Sequence, residues 1–382
     1  MTAEPSEAQA EAPARTLRLV LCVGLVSALT WAVCGALGLS GGAPYGVVIA
    51  ALMVRPRFDH WPAPVFLLLP VIVLLGLGLG TFLNPLLPGP LVWRFAVVAG
   101  LALCLAQALP DKLAMVRSVL ALLAVLPLLG INPTWLGAWH QLLAVIVGLV
   151  ITPILQAALR LPGEGAASEA AAEASLPQRS LAERFQDPFF WRRLLISVLS
   201  LSIGMGLGAT NPKYLYFGVL LLLNDSLGAT LLRVRDRMIG VSLGVLMPWV
   251  VFNTMGTGSV SVALVMGGTT ALVLGLGLEA NLRTALISSG VTFVGYGVLT
   301  DWYVPTRWID YLMGCGLALL VCLLVRPVSA LRRFRELARD TAVLTPELEA
   351  LLASAQEEAR LLGQERGFQA QLARLKQASP RP

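Results

Sequence analysis

Charged residues are scarce in this chain, and so are the residue types from which metal and redox sites are built. Only 13% of its 382 residues are charged, against about a quarter in a typical soluble domain. Its two histidines are too few for a multi-histidine metal site, and no C-x-x-C pair occurs among its five cysteines. We therefore expect no metal and no cofactor, and we expect the cysteines to be small apolar packing residues.

Apolar sequence takes the place of the missing charge. Hydrophobic residues make up 57% of the chain, and the mean hydropathy is +0.76. Apolar runs long enough to cross a bilayer recur between residues 18 and 326. The sequence thus predicts an all-α integral membrane protein with about twelve transmembrane helices. The predicted spans are 18–39, 43–54, 63–83, 93–109, 115–131, 139–159, 190–208, 214–232, 238–255, 259–278, 283–300 and 308–326.

The distribution of lysine and arginine predicts the orientation of these spans. If both termini are cytoplasmic, all of the 28 basic residues except Arg94, Lys213 and Arg307 lie on the cytoplasmic side. The same distribution explains the net charge of +6 without a nucleic acid partner. The polar N-terminal stretch has no cleavable signal, so we expect the first span to be retained. We expect a multi-pass protein of the bacterial inner membrane.

The order of the spans predicts a parallel repeat of six plus six, because a cytoplasmic linker separates two sets of six spans. The expected segments are a cytoplasmic tail (1–17), a first membrane half (18–160), the linker (161–188), a second membrane half (189–328) and a C-terminal segment (329–382). The linker is rich in small and acidic residues, with one short helix expected near Leu181 to Phe185.

The C-terminal segment is predicted to form a cytoplasmic amphipathic helix. Thr345 is a candidate N-terminal cap, followed by the acidic residues Glu347 and Glu349. The apolar stripe would pack on the protein's own cytoplasmic face, mediate self-association or bind the membrane surface. Its members are Leu348, Leu351, Leu352, Leu361, Leu362, Phe368, Leu372 and Leu375.

An Asn-Asp pair stands near the middle of the predicted span 214–232. A carboxylate there costs about 2.5–3.5 kcal/mol on insertion scales, so Asp225 is a candidate functional residue that faces protein or a water-filled cavity. Alternatively, the span ends early and Asn224-Asp225-Ser226 caps a second short helix. Membrane prenyltransferases use N-D-x-x-D to hold magnesium and diphosphate, but Gly228 stands where the last carboxylate would be. We therefore do not expect an enzyme.

Three arginines at alternate positions follow this pair. Arg233 and Arg235 fit a positive cytoplasmic loop. Arg237 differs because Gly240 and Gly244 come after it, at a spacing that lets a neighbouring helix approach closely.

These residues carry a resemblance to a known family. The run Ser226-Leu227-Gly228-Ala229-Thr230, with Arg237-x-x-Gly240-x-x-x-Gly244 after it, resembles the fusaric acid resistance and aromatic acid exporter family. The last predicted span agrees, since Arg307, Asp310 and Gly314 are similar to the R-x-x-D-x-x-x-G of that family. The six-span unit also looks like the membrane part of aluminium-activated malate transporters.

The resemblance implies efflux of aromatic or other small organic acids, coupled to protons. An anionic substrate needs positive charge near its path, and proton coupling needs an intramembrane carboxylate. The candidates for the pathway are Asn224, Asp225, Arg233, Arg237, Arg307 and Asp310, and those for helix packing are Gly228, Gly240, Gly244 and Gly314. The expected partners are a small organic anion and the lipid bilayer. The sequence is also compatible with a homo-oligomer.

Three other functions stay open at this point. A passive anion channel follows from the malate transporter resemblance, and it would not accumulate substrate uphill. A major-facilitator carrier shares the six-plus-six order but needs a loop signature that residues 55–60 lack. A membrane scaffold without transport would lose its function on deletion of residues 329–382, whereas we expect a transporter to keep its flux.

Overall fold

A computed structural model describes residues 7–55, 63–109, 114–131, 133–160, 180–296, 300–324, 329–341 and 343–378. Within these ranges every regular element is a helix, as the sequence predicts. The first half contains α1 (Glu7–Ala36), α2 (Ala43–Met53), α3 (Ala63–Leu86), α4 (Leu91–Gln107), α5 (Ala114–Val125) and α6 (Trp135–Ala158). Because α1 begins at Glu7, much of the predicted tail 1–17 is helical.

Most of the predicted linker, residues 161–179, lies outside the described ranges. Its expected short helix is α7 (Leu181–Gln186). The second half contains α8 (Pro188–Gly206), α9 (Lys213–Leu222), α10 (Leu227–Met255), α11 (Ser259–Gly275), α12 (Leu282–Tyr296) and α13 (Thr300–Leu324). The C-terminal segment forms α14 (Ala330–Asp340), α15 (Pro346–Leu361) and α16 (Glu365–Ala378).

Five of the described helices are long and apolar enough to cross a membrane: Ala14–Ala36, Pro64–Leu86, Trp135–Ala158, Pro188–Gly206 and Leu227–Met255. Several others are apolar but shorter. Leucines on these helices point outward, such as Leu67 at 76% exposure and Leu195 at 59%. Such surfaces suit lipid rather than water. The chain thus has the helices of a multi-pass membrane protein.

Two predicted spans are not complete helical crossings. With 11 residues α2 covers about 16 Å, and with 10 residues α9 covers about 15 Å, roughly half the hydrocarbon thickness. The span predicted at 214–232 is wrong as a single helix, because α9 stops at Leu222 and α10 begins at Leu227. Both short helices end in an extended residue, Val54 after α2 and Leu223 after α9.

Two predicted loops are helical. The cytoplasmic loop expected at Arg233–Arg237 is part of α10, which at 29 residues is about 43 Å long. Residues 301–307, which lie between the last two predicted spans, are part of α13. In both cases polar and charged residues led to a loop prediction, although they continue a helix that is apolar elsewhere.

The described chain divides into two compact units. The first comprises residues up to Phe185 together with Met238–Ile309. In it α1 packs on α11, and α2 packs on α6. The close approach of α2 and α6 needs glycine, since a β-carbon on Gly148 would run into the carbonyl oxygen of Gly46. The Thr152 hydroxyl lies 3.2 Å from the carbonyl oxygen of Ala50, near the end of α2.

The second unit comprises Gln186–Arg237 and the residues from Asp310 onward. In it α9 packs closely on α13 at a pair of glycines. A β-carbon on Gly218 would lie only 2.9 Å from the α-carbon of Gly314. The predicted amphipathic stripe largely forms the core of a three-helix subdomain, α14 to α16. Its residues Leu348, Phe368, Leu372 and Leu375 are buried there, whereas Leu361 and Leu362 are exposed.

Candidate functional site at a helix break

The site is built around the break between α9 and α10. Asn224, Asp225 and Ser226 lie between the two helices, so the capping alternative describes this stretch. The Ser226 hydroxyl accepts a hydrogen bond from the backbone N–H of Ala229 at 3.2 Å, which is the bond expected of an N-terminal cap. The helix it caps is α10, which is one of the longest in the described chain rather than a short one.

Thr230 ties the two sides of the break together. Its buried hydroxyl accepts from the backbone N–H of Asn224 at 3.1 Å and donates to the carbonyl of Ser226 at 2.9 Å. It also lies 3.3 Å from the sulfur of Cys322 on α13. Backbone groups freed by a broken helix need such partners when no water is at hand. The serine and threonine of the S-L-G-A-T run thus have local structural roles.

Two adjacent arginines on α8 hold the end of α9. Arg192 is 8% exposed, and its Nη2 donates to the carbonyls of Asn224 at 2.7 Å and Asp225 at 3.3 Å. The Nη2 of Arg193 donates to the carbonyl of Leu220. The last carbonyls of a helix lack partners and carry its negative dipole end, so guanidinium groups stabilise them.

Sequence reasoning missed the role of Arg192 and Arg193. It counted both with the cytoplasmic cations, although both fall inside the predicted span 190–208. Adjacent cations inside an apolar span are costly unless they have buried partners. The position of these two arginines inside an apolar span was therefore the feature of the sequence that could have indicated buried partners.

Asn224, Asp225 and Arg233 lie close together at this break. The Asn224 side-chain oxygen accepts from the backbone N–H of Asp225 at 3.1 Å. The Asp225 carboxylate is exposed, and it is near enough to Arg233 for its charge to act on that guanidinium. Arg235 points elsewhere, to Glu357 on α15 at 3.5 Å. The break therefore has two arginines bonded to its backbone, Arg192 and Arg193, and a third, Arg233, near its one carboxylate.

Arg237 belongs to a second cluster, with tyrosines. Its guanidinium lies 5.7 Å from the ring centre of Tyr311, and its Nη2 is 3.4 Å from the Tyr311 hydroxyl. Tyr311 stacks on Tyr214 with ring centres 5.1 Å apart. Both tyrosines are buried. The cluster thus places one guanidinium, a group that can bind a carboxylate, over one ring of a buried tyrosine pair.

Asp310 lies next to this cluster but has its own partner. It is 2% exposed, and its Oδ2 accepts from the backbone N–H of Asn211 at 2.8 Å. Arg307, one turn earlier, is on α13, and its side chain lies outside the described part of the structure.

The remaining candidate glycines lie at helix contacts. A β-carbon on Gly240 would lie 2.5 Å from the β-carbon of Thr284, and one on Gly244 would lie 2.7 Å from that of Ser288, both on α12. Gly228 faces the backbone of Ser354 on α15. Gly314 faces α9, as described above. In the described ranges no group of three or more histidine, cysteine, aspartate or glutamate side chains is placed to hold a metal ion.

Residues 196–321 match the family model described as fusaric acid resistance protein-like. The match covers about a third of the chain, including the break, Arg237 and Asp310, but not Arg192, Arg193 or the C-terminal helices. No curated protein and no solved structure matches the chain, and no match supports the resemblance to malate transporters. The resemblance to the first family is confirmed over this segment, so the break and the arginine-tyrosine cluster both lie in a fusaric acid resistance protein-like region of a membrane protein.

Proposed function

We propose that this protein is a membrane transporter that exports aromatic or other small organic acids. The observation that carries the proposal is the broken helix α9–α10, which lies in the matched segment, has Arg192 bonded to its backbone and has Arg233 near its one carboxylate, Asp225. In transporters, interrupted helices commonly line the substrate path, because their free backbone ends face a cavity rather than lipid. An excess of guanidinium groups at such a place favours an anion.

In this proposal two arginines have a structural role and two others bind the substrate. Arg192 binds the carbonyls of the break and Arg193 binds a carbonyl in the last turn of α9, so both hold the backbone there. Arg233 is exposed at the break, and Arg237 lies beside Tyr311. These two would contact the carboxylate of the substrate, since a guanidinium binds a carboxylate through two parallel hydrogen bonds.

The six-plus-six organisation remains part of this proposal. In each half the second helix is the shortest of six and ends in an extended residue. In each half it also crosses the sixth helix at glycines. We propose that each short helix and the residues that follow it together make the second crossing, which keeps both termini cytoplasmic at the bacterial inner membrane.

The test is benzoate transport in proteoliposomes across an imposed pH gradient. We expect Arg237→Gln to lower the initial rate about tenfold or more, because removing one partner of a buried charge contact costs about 2–5 kcal/mol. Arg332→Gln is the matched control, since Arg332 is exposed on α14. Equal rates for both variants and the wild type, or no benzoate transport at all, would contradict the proposal.

Proton coupling is tested separately with Asp225→Asn. If Asp225 carries the proton, this variant transports benzoate without response to the pH gradient. An unchanged response would remove Asp225 from the coupling step.

One observation favours passive anion conduction as a second function. Asp225 is exposed, and Asp310 is already bonded to the Asn211 backbone, so neither is a carboxylate isolated inside an apolar helix. A channel would show voltage-driven current without uphill accumulation, and an exporter would accumulate benzoate against its gradient.

A further inference from the structure

The C-terminal helices form a subdomain with its own core. Phe334 on α14 and Phe368 on α16 meet with ring centres 5.1 Å apart, and both are fully buried. Glu358 on α15, 1% exposed, accepts from the backbone N–H of Leu331 at 2.7 Å and from the Ser329 hydroxyl at 2.9 Å. This carboxylate caps the start of α14, so α14 and α15 are joined by buried polar bonds as well as by apolar contacts.

This subdomain contacts the first turns of α10 through one face of α15. Gly228 is so close to Ser354 that a β-carbon there would run into the Ser354 carbonyl oxygen. Two turns further along α10, Arg235 pairs with Glu357 at 3.5 Å. Positions seven apart on α10 and three apart on α15 each lie on one face of their helix. The two contacts therefore belong to one docking surface.

The docking surface coincides with the structures that hold the break. Gly228 stands between Ser226, which caps α10, and Thr230, which ties α10 to Asn224. The glycine of the S-L-G-A-T run is thus the residue at which α15 reaches the backbone of α10. An alanine would need backbone to shift, because the atom it meets is a carbonyl oxygen rather than a flexible side chain.

We infer that the C-terminal subdomain is a positioning element for the α9–α10 break, and that transport depends on its docking at Gly228. The inference rests on the proposed function. The subdomain touches no substrate in this scheme. It contacts the first two turns of α10, while Arg192 binds the backbone of the break itself, at Asn224 and Asp225. Deletion of residues 329–382 would then impair a transporter as well as a scaffold, so point variants are needed.

The first test compares Gly228→Ala with Gly316→Ala in the full-length chain. Gly316 lies on α13 with no atom near the place of a β-carbon, so its variant is the matched control. We expect Gly228→Ala to raise amide hydrogen exchange in both α15 and residues 227–236 about tenfold, and to lower benzoate flux by a similar factor. Gly316→Ala should match the wild type in all three measurements.

The second test reverses charges at the same surface, in case Gly228→Ala fails to fold. Arg235→Glu and Glu357→Arg should each raise exchange in α15 about threefold, because like charges then face each other, and the double variant should restore it. Unchanged exchange in α15 in these variants and in Gly228→Ala would overturn the docking. Faster exchange in α15 with residues 227–236 still protected, or with full flux, would overturn the positioning role. If the wild type transports no benzoate, the proposed function fails, and the exchange data still decide the docking.

Discussion

Replacing Arg192 with methionine removes the guanidinium that binds the backbone of the break at Asn224 and Asp225, and keeps most of the side-chain volume. The wild-type Nη2 donates to two carbonyls, and Arg192 is 8% exposed. Hydrogen bonds to charged groups contribute about 1.5–3 kcal/mol, and a buried carbonyl left without a donor costs about 1–3 kcal/mol. We therefore expect Arg192→Met to destabilise the break locally by about 3 kcal/mol. This increases the equilibrium constant for local opening roughly 150-fold.

Hydrogen exchange of peptides that cover residues 213–230, in protein reconstituted in nanodiscs, measures this opening. Arg192→Met should increase exchange there about 100-fold relative to the wild type. Arg192→Lys should fall in between, because lysine keeps the charge but lacks the planar fork of donors. Arg332→Met is the control, since the Arg332 side chain is 81% exposed and its pairing with Glu336 is a surface pair.

Arg192→Met should accelerate hydrogen exchange at the break and not elsewhere in the chain. If Arg192→Met and Arg332→Met leave the exchange of residues 213–230 equally slow, Arg192 does not hold the break. If Arg192→Met instead accelerates exchange throughout the chain, the arginine supports the whole unit rather than the end of α9.

Two further substitutions test the supports of the break and of the C-terminal subdomain. Thr230→Val keeps the shape but loses the bonds to Asn224 and Ser226, so the free energy of unfolding in detergent should fall by about 2 kcal/mol. Thr254→Val, at an exposed position bonded only within its own helix, should change it by less than about 0.5 kcal/mol. Phe368→Ala empties the centre of the C-terminal core and should cost about 3–5 kcal/mol. Protease should then cleave within 329–382 while the preceding helices stay intact. Leu362→Ala, at an exposed side chain, should behave as wild type; cleavage equal in both variants would contradict the three-helix core.

Helix positions follow from hydropathy where a segment is uniformly apolar. The span predicted at 259–278 corresponds to α11 (Ser259–Gly275), and the one at 190–208 corresponds to α8 (Pro188–Gly206). Burial against lipid or protein favours a helix over such a segment whatever its neighbours are, because every backbone group is then satisfied within the segment. Local sequence therefore suffices in these cases.

The break after α9 could be recognised as an alternative but not decided from sequence. The leucines around Asp225 offset much of its insertion cost, at about 0.5 kcal/mol each, so hydropathy alone favours a continuous span. The break instead depends on Arg192 and Arg193, whose carbonyl partners lie 32 and 27 residues away along the chain. Contacts at that separation are properties of the fold.

The contact made by Arg237 could not be predicted for a different reason. The positive-inside rule uses the number of cations near a span end and ignores where their side chains reach. The Arg237 side chain reaches Tyr311, 74 residues later. The amphipathic stripe of the C-terminal segment is similar, because periodicity identified Leu348 and Phe368 as apolar-face residues but not the helices they would meet.

A comparison of the two short helices shows why the candidate site belongs to the second half. Both end in an extended residue with similar backbone angles, at Val54 (φ −69°, ψ 119°) and at Leu223 (φ −60°, ψ 126°). Near the end of α2 a carbonyl accepts from the neutral hydroxyl of Thr152. At the end of α9 and in the residues after it, carbonyls accept from the guanidinium groups of Arg193 and Arg192. A neutral donor satisfies a carbonyl without creating a field, but buried guanidinium groups also create a positive potential that attracts an anion. The end of α2 thus serves packing in the first half, and on the proposed function the break in the second half would also provide positive charge for an anionic substrate.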